Sequence, residues 1–200
     1  MNQTRIVLAS SSPYRRALLA RLGIPFSVQV PAVEEARMGS ESPPAMAMRL
    51  AEEKARAVAA QHGPALVIAS DQVAVLDQEL VGKPGTFERA REQLLRASGR
   101  TLCFHTALCV RNSASGRQHV DMVPCEVTFR ELTSVEIENY LRREQPYNCA
   151  GAFKSEGLGI ALLDKMHGND PTALIGLPLI RLCEMLRLEG VDVLGRPGDE

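Results

Sequence analysis

Ser10, Ser12, Tyr14 and Arg15 crowd into "ASSSPYRRALL", directly after the apolar run "RIVLA" at residues 5–9. Backbone N–H groups at a helix start are unpaired and point outward, so this segment, with two hydroxyls and a guanidinium, is suited to holding phosphate oxygens. The plainer reading is an N-cap flanked by solvated arginines. Two familiar phosphate loops are absent: there is no G-x-x-x-x-G-K-[ST] and no G-x-G-x-x-G after a strand, while "VGKPG" lacks the upstream glycine and is broken by Pro84.

Phosphate chemistry recruits divalent cations through carboxylates, which directs attention to the acids. Glu34 and Glu35 lie in a polar loop, and Asp71 closes the buried run "ALVIASD" at residues 65–71. An acid at the mouth of a buried strand is either a turn-forming residue or a site residue held by rigid scaffold. Lys54 and Lys83 can reach phosphates, though an isolated lysine is ordinarily a solvated one. In "AGAFKSEGLG", Gly151, Gly157 and Gly159 let backbone approach a ligand closely around Glu156, whose alternative is an exposed loop carboxylate.

The elements that must position these groups alternate strand and helix. A helix over residues 13–22 stops at Gly23, and a short strand "FSVQV" follows. Ser42 and Pro43 open a second helix with apolar spacing from Met46 to Val58. "QVAVLDQELVGKPG" predicts a hairpin, and Thr86 starts a helix that ends at Gly99. Residues 100–111 and 117–130 predict two long strands around the turn "NSASG". Thr133 and Glu136 form a capping box, an apolar strand runs to Leu163, "HGND" makes a turn, and a last helix spans residues 178–189. This order predicts one α/β domain over residues 1–195 with a mixed sheet and flanking helices, and a frayed tail at 196–200. Ligands of such sheets sit at the carboxyl ends of strands, where Ser10 to Arg15 and Asp71 both fall.

With 200 residues, 45% hydrophobic, the chain can bury a sizeable core, and interleaved charges summing to −1 give no broad basic face for a nucleic-acid polymer. No apolar run reaches the roughly 18 residues of a membrane span and no secretory signal is visible, so a cytoplasmic protein without a membrane partner is expected. Five cysteines without C-x-x-C spacing fit reduced core thiols. Cys103 and Cys109 of "LCFHTALCV" would stand about 20 Å apart on a strand and cannot share an ion.

"ASSSPYRRALL", "VEE", "KA" on a helix, "ASDQV", "GKP", "GAFKSEG" and "GLPL", in that order along the chain, resemble the Maf family of nucleoside triphosphate pyrophosphatases. The resemblance implies an α/β fold with a mixed twisted sheet and a deep cleft between two lobes, often as a homodimer. It implies a nucleotide substrate and release of pyrophosphate dependent on Mg²⁺ or Mn²⁺. Carried over by position, Ser10, Ser12, Arg15, Lys54 and Lys83 bind phosphates, Glu35 and Asp71 bind the metal, and Asp71 accepts a proton.

Relatives in this family divide at the positions of Tyr14, Gln72 and Glu156. A branch acting on dTTP and UTP shows Arg, Thr and Gln there; a branch acting on 7-methyl-GTP, and so removing a modified nucleotide, shows an aromatic, Gln and Glu, the set found here. Tyr14 replaces a frequent Trp, Ala107 a usual Gly, and Thr172 a frequent Asn, so Thr172 is left out of the expected site. The chemistry of the base agrees with the second branch. N7-methylation makes guanine cationic, which favours the Tyr14 face by about 0.5–2 kcal/mol. Its N1–H and N2–H can both donate to Glu156, whereas uracil and thymine would set carbonyl oxygens against a carboxylate. The alternatives are a pyrophosphatase for dTTP, UTP or other modified nucleotides, and a nucleotide-binding regulator without turnover.

Overall fold

The computed structural model describes residues 4–195; the expected tail at 196–200 lies outside them. Its sheet has seven strands and is mixed, as the alternation of elements predicts. β1 (Ile6–Ala9) pairs in parallel with β2 (Ser27–Gln29) on one side and β3 (Leu66–Leu76) on the other. β3 continues into a tight turn at Asp77 and Gln78, both at positive φ, and β4 (Glu79–Val81) returns antiparallel. That is the hairpin expected from "QVAVLDQELVGKPG". β5 (Thr101–Asn112) and β6 (Gln118–Phe129) form the long antiparallel pair, and β7 (Leu163–Gly168) adds an edge.

Helices cover both faces. α1 (Pro13–Ala20) is capped by Ser12, α2 (Pro43–Ala59) by Ser42 and α3 (Phe87–Ala97) by Thr86, while α4 (Ser134–Glu144) carries the full Thr133–Glu136 capping box. Two further helices close the chain, α5 (Pro171–Ile175) and α6 (Leu179–Leu188). α2 buries an alanine-rich stripe, including Ala47, Ala51 and Ala55, against β1, β3 and β5. α1 and α6 cover the opposite face with Leu18, Leu19, Leu182 and Met185. α3 and α4 pack over the far end of the sheet, around Phe104, Val127 and Phe129.

Three expectations need correction. Asp71 does not end a strand: β3 runs through it for another five residues, because β5 pairs with β3 continuously from Leu66 to Val75. The apolar run before Leu163 is not a strand but a 3-10 turn, Leu158–Leu162, and β7 begins where the strand was expected to stop. Its side chains from Asp164 onward are exposed, so this edge strand carries no apolar alternation to betray it. "HGND" is not all turn either, since His167 and Gly168 pair with Glu126 and Cys125, and α5 follows at once.

Phe129 is fully buried and meets Phe153 edge-on, with ring centroids 5.5 Å apart. Phe129→Ala is expected to cost about 3–5 kcal/mol, read as a lower urea midpoint at unchanged slope.

Candidate active site

β3 has two different neighbours along one edge. β1 pairs with residues 66–69 and β4 with residues 74–76, so among the described residues 70–73 have no strand partner on that side. A cavity of about 530 Å³ opens at this gap. Successive strand residues face opposite sides of a sheet, yet Asp71 and Gln72 both line the cavity because the missing neighbour exposes both faces at the edge.

On the α2 side, Lys54 is 6% exposed and Asp71 7%. The Lys54 ammonium donates to Asp71 Oδ1 at 2.6 Å and contacts Glu35 Oε1 at 2.5 Å. One cation thus joins a carboxylate of the strand to one from the loop after β2. The hydrogen bond to Lys54 pulls the Glu35 carboxyl below its ordinary value, with help from Lys83 and Arg15. Asp71 moves the other way: burial pushes its carboxyl up, more than Lys54 and Arg15 pull it down. Glu34, Glu35's neighbour, is exposed and outside the cavity lining.

The start of α1 forms another wall. Ser10 Oγ accepts the Ser12 N–H at 3.1 Å, and Ser12 Oγ accepts the Arg15 N–H at 3.3 Å. Both hydroxyls keep a proton to donate, and both residues line the cavity. Arg15 donates its Nε–H to Gly176 O at 2.9 Å, which anchors the guanidinium and leaves its two terminal nitrogens for a ligand. Gly176 has φ of 120°, and a Cβ there would stand 3.4 Å from Arg15 Nε, so glycine permits both the turn and the approach. Burial lowers the Arg15 pKa, against the pull of Asp71 and Glu35. Lys83, exposed on the loop after β4, faces the same space.

Another part of the lining is less polar. Tyr14, Cys149, Phe104, Phe153 and Leu174 form it, with the exposed Glu156 at its margin. Burial raises the Tyr14 phenol, and Cys149 and Glu156 add to the rise while Lys154 opposes it, so these groups are electrostatic neighbours. Gln72 is fixed by its amide nitrogen, which donates to Thr106 Oγ1 at 2.8 Å, Ala173 O at 2.9 Å and Leu174 O at 3.1 Å. Two of those acceptors are backbone carbonyls, which settles the amide's orientation and leaves Oε1 to the cavity.

Every residue expected at the site therefore lines one cavity. The supports provided by α5 were not foreseen. Its carbonyls and Gly176 receive Arg15, Ser70, Gln72 and Thr106. Asp170 holds that helix in place, accepting from Thr172 N at 2.9 Å and Ile180 N at 2.8 Å. The signal was present in "DPTALIG": an Asp cap, Pro at the first position and Gly after the last. Thr172, excluded from the expected site, is a scaffold residue that accepts Leu179 N–H at 2.8 Å. Ala107 is fully buried and pairs across the strands with Asp71.

The sequence profile described as "Maf-like protein" matches residues 5–189. A protein of Nitrosococcus oceani named 7-methyl-GTP pyrophosphatase is 56% identical over 189 residues, covering 94% of this chain and 95% of its own. Proteins of the same name from Methylobacillus flagellatus and Pseudomonas fluorescens are each 54% identical, over 94% of this chain and 98% and 97% of theirs.

Removing Lys54 would leave two carboxylates without the cation that joins them. Lys54→Met is expected to destabilise the fold by about 3–5 kcal/mol. The variant raises the Asp71 pKa further, so the loss is largest where Asp71 must ionise and shrinks as pH falls and the carboxyl takes its proton. Urea melts at pH 8 and pH 5, compared with the parent chain, measure that difference.

Proposed function

This chain belongs to the Maf family, and from that premise we infer that it is a nucleoside triphosphate pyrophosphatase that hydrolyses 7-methyl-GTP to 7-methyl-GMP and diphosphate. The observation that carries the reading is one cavity lined by two chemically distinct sets of groups. Ser10, Ser12, Arg15, Lys54 and Lys83 line it together with an aromatic ring and a carboxylate, Tyr14 and Glu156; the first set is assigned to the phosphates, as the basic end, and the pair to the base. A cationic purine satisfies both members of that pair at once: its face suits the Tyr14 ring and its N1–H and N2–H edge suits Glu156. The triphosphate then extends toward the basic end.

Glu35 and Asp71 fit a hard divalent cation such as Mg²⁺ or Mn²⁺. Their oxygens already converge on one positive charge, the Lys54 ammonium, and two carboxylates with substrate phosphates and water make a set that such ions accept. Among the described residues no group of three or more acidic, His or Cys side chains is placed to hold an ion, so the triphosphate and water would supply the remaining donors. When bound, the cation would offset charge on the phosphate under attack.

The protein's own groups account for the remaining steps. Asp71 Oδ1 is occupied by Lys54, so Oδ2 receives the proton as water attacks the α-phosphorus. The bond from that phosphorus to the bridging oxygen breaks, and charge develops on the departing diphosphate. Arg15, anchored through Nε, presents its terminal nitrogens to that charge, and Lys83 adds a mobile cation. The third proton of the Lys54 ammonium is available to a phosphate oxygen.

A panel of 7-methyl-GTP, GTP, UTP and dTTP, assayed for diphosphate release with Mg²⁺ or Mn²⁺, tests the reading. The highest kcat/KM is expected with 7-methyl-GTP; preference for UTP or dTTP, or binding of all four without turnover, overturns it. Asp71→Asn is expected to lower kcat by about 10²-fold or more while 7-methyl-GMP still binds. Because burial raises the Asp71 pKa, its carboxyl in the metal-free protein should take up its proton at a pH above the ordinary aspartate range, read by titration of the carboxyl signal against Asp71→Asn.

A further inference from the structure

Glu156 has little to hold it. It is exposed, sits in a segment without strand pairing, and among the described residues it accepts only a 3.4 Å bond from its neighbour Ser155. A carboxylate that discriminates bases by direction needs a fixed backbone beneath it. That backbone is fixed from α4. Tyr140 and Glu144 are one helical turn apart, so they project on the same face. Tyr140 Oη donates to Ala152 O and accepts Lys154 N–H, both at 3.2 Å. Glu144 Oε1 accepts from Lys154 Nζ at 2.6 Å, and Oε2 accepts the Leu158 N–H at 2.7 Å.

Glu144 thus grips the chain two residues before Glu156 and two residues after it. Its carboxylate also presses on the residue between: a Cβ on Gly157 would stand 2.4 Å from Glu144 Oε2. The side chain is only 10% exposed, so these bonds are shielded from water. The hydrogen bonds from Lys154 and Leu158 hold its carboxyl below the usual value and keep it ionised at neutral pH. Glu144 does not line the cavity.

We propose that Glu144 is a positioning residue for base recognition, fixing residues 154–158 on α4 so that the Glu156 carboxylate meets the purine edge. This rests on the reading that Glu156 contacts the base. It separates base binding from phosphate binding, since the groups at the basic end make none of these bonds.

Calorimetric titration with 7-methyl-GMP and, separately, with diphosphate in the presence of Mg²⁺ tests it, using Glu144→Ala, Glu144→Gln and Glu156→Gln. Glu144→Ala is expected to weaken 7-methyl-GMP binding about ten-fold, the equivalent of one charged hydrogen bond between Glu156 and the base, with diphosphate binding within about two-fold of the parent. Glu144→Gln keeps an acceptor for Leu158 N–H and should fall between. In turnover of 7-methyl-GTP, KM should rise with kcat within about two-fold. Parallel weakening of both ligands, or no change for 7-methyl-GMP in the Gln variant, overturns the proposal even if the Ala variant fails to fold. If Glu156→Gln leaves 7-methyl-GMP binding intact, the reading of Glu156 fails; if only the Glu144 variants do so, the positioning role alone fails.

Discussion

An interrupted edge governs this molecule. β3 is paired from Leu66 to Val75 on the β5 side, which makes it rigid, but on its other side, between β1 and β4, residues 70–73 have no strand partner among the described residues. A strand normally sends alternate side chains to chambers that the sheet separates. At this break the separation is lost, and Asp71 from one face and Gln72 from the other serve the same space. No loop flexibility is needed to bring them together, and both inherit the stiffness of a central strand.

Charge in that space is organised around a single buried ammonium. Lys54 comes from α2, Asp71 from β3 and Glu35 from the loop after β2, three segments that meet only in the folded chain. Burying one such group alone would be prohibitive, and the arrangement is tolerable because each charge faces its opposite at hydrogen-bond distance. The opposed responses of the two acids follow from their settings. Glu35, more open to solvent, gains more from its hydrogen bond to Lys54 and the nearby cations than burial takes away, while for Asp71 the desolvation outweighs the attraction. The same two carboxylates therefore enter the site with different proton affinities, a condition under which one acts as a base and the other stays ionised.

Much of this was legible beforehand, for identifiable reasons. Caps are local chemistry, so Ser42, Thr86 and Thr133 marked their helices correctly. The residues at the cavity were recoverable because their order along the chain resembles a family pattern, not because any one of them is distinctive. What failed was information that does not reside nearby. The continuation of β3 past Asp71 depends on β5, some 36 positions away, and "SD" alone looks like a strand ending. β7 shows no alternation because it is an exposed edge, and the apolar residues before it serve a 3-10 turn instead. α5 is five residues long, below the length at which apolar periodicity can be read, and only its caps announced it.

The carbonyl of Gly176 receives both Arg15 Nε at 2.9 Å and Ser70 Oγ at 2.8 Å, and Gln72 is bound to carbonyls two and three residues earlier. The anchor of the guanidinium and the anchor of the amide are therefore stations on one short rod of backbone. Neither can drift without dragging its counterpart, so the span between them behaves as a ruler. On the proposed reading of the site, a ligand held at both anchors is gauged by its length as well as by its chemistry.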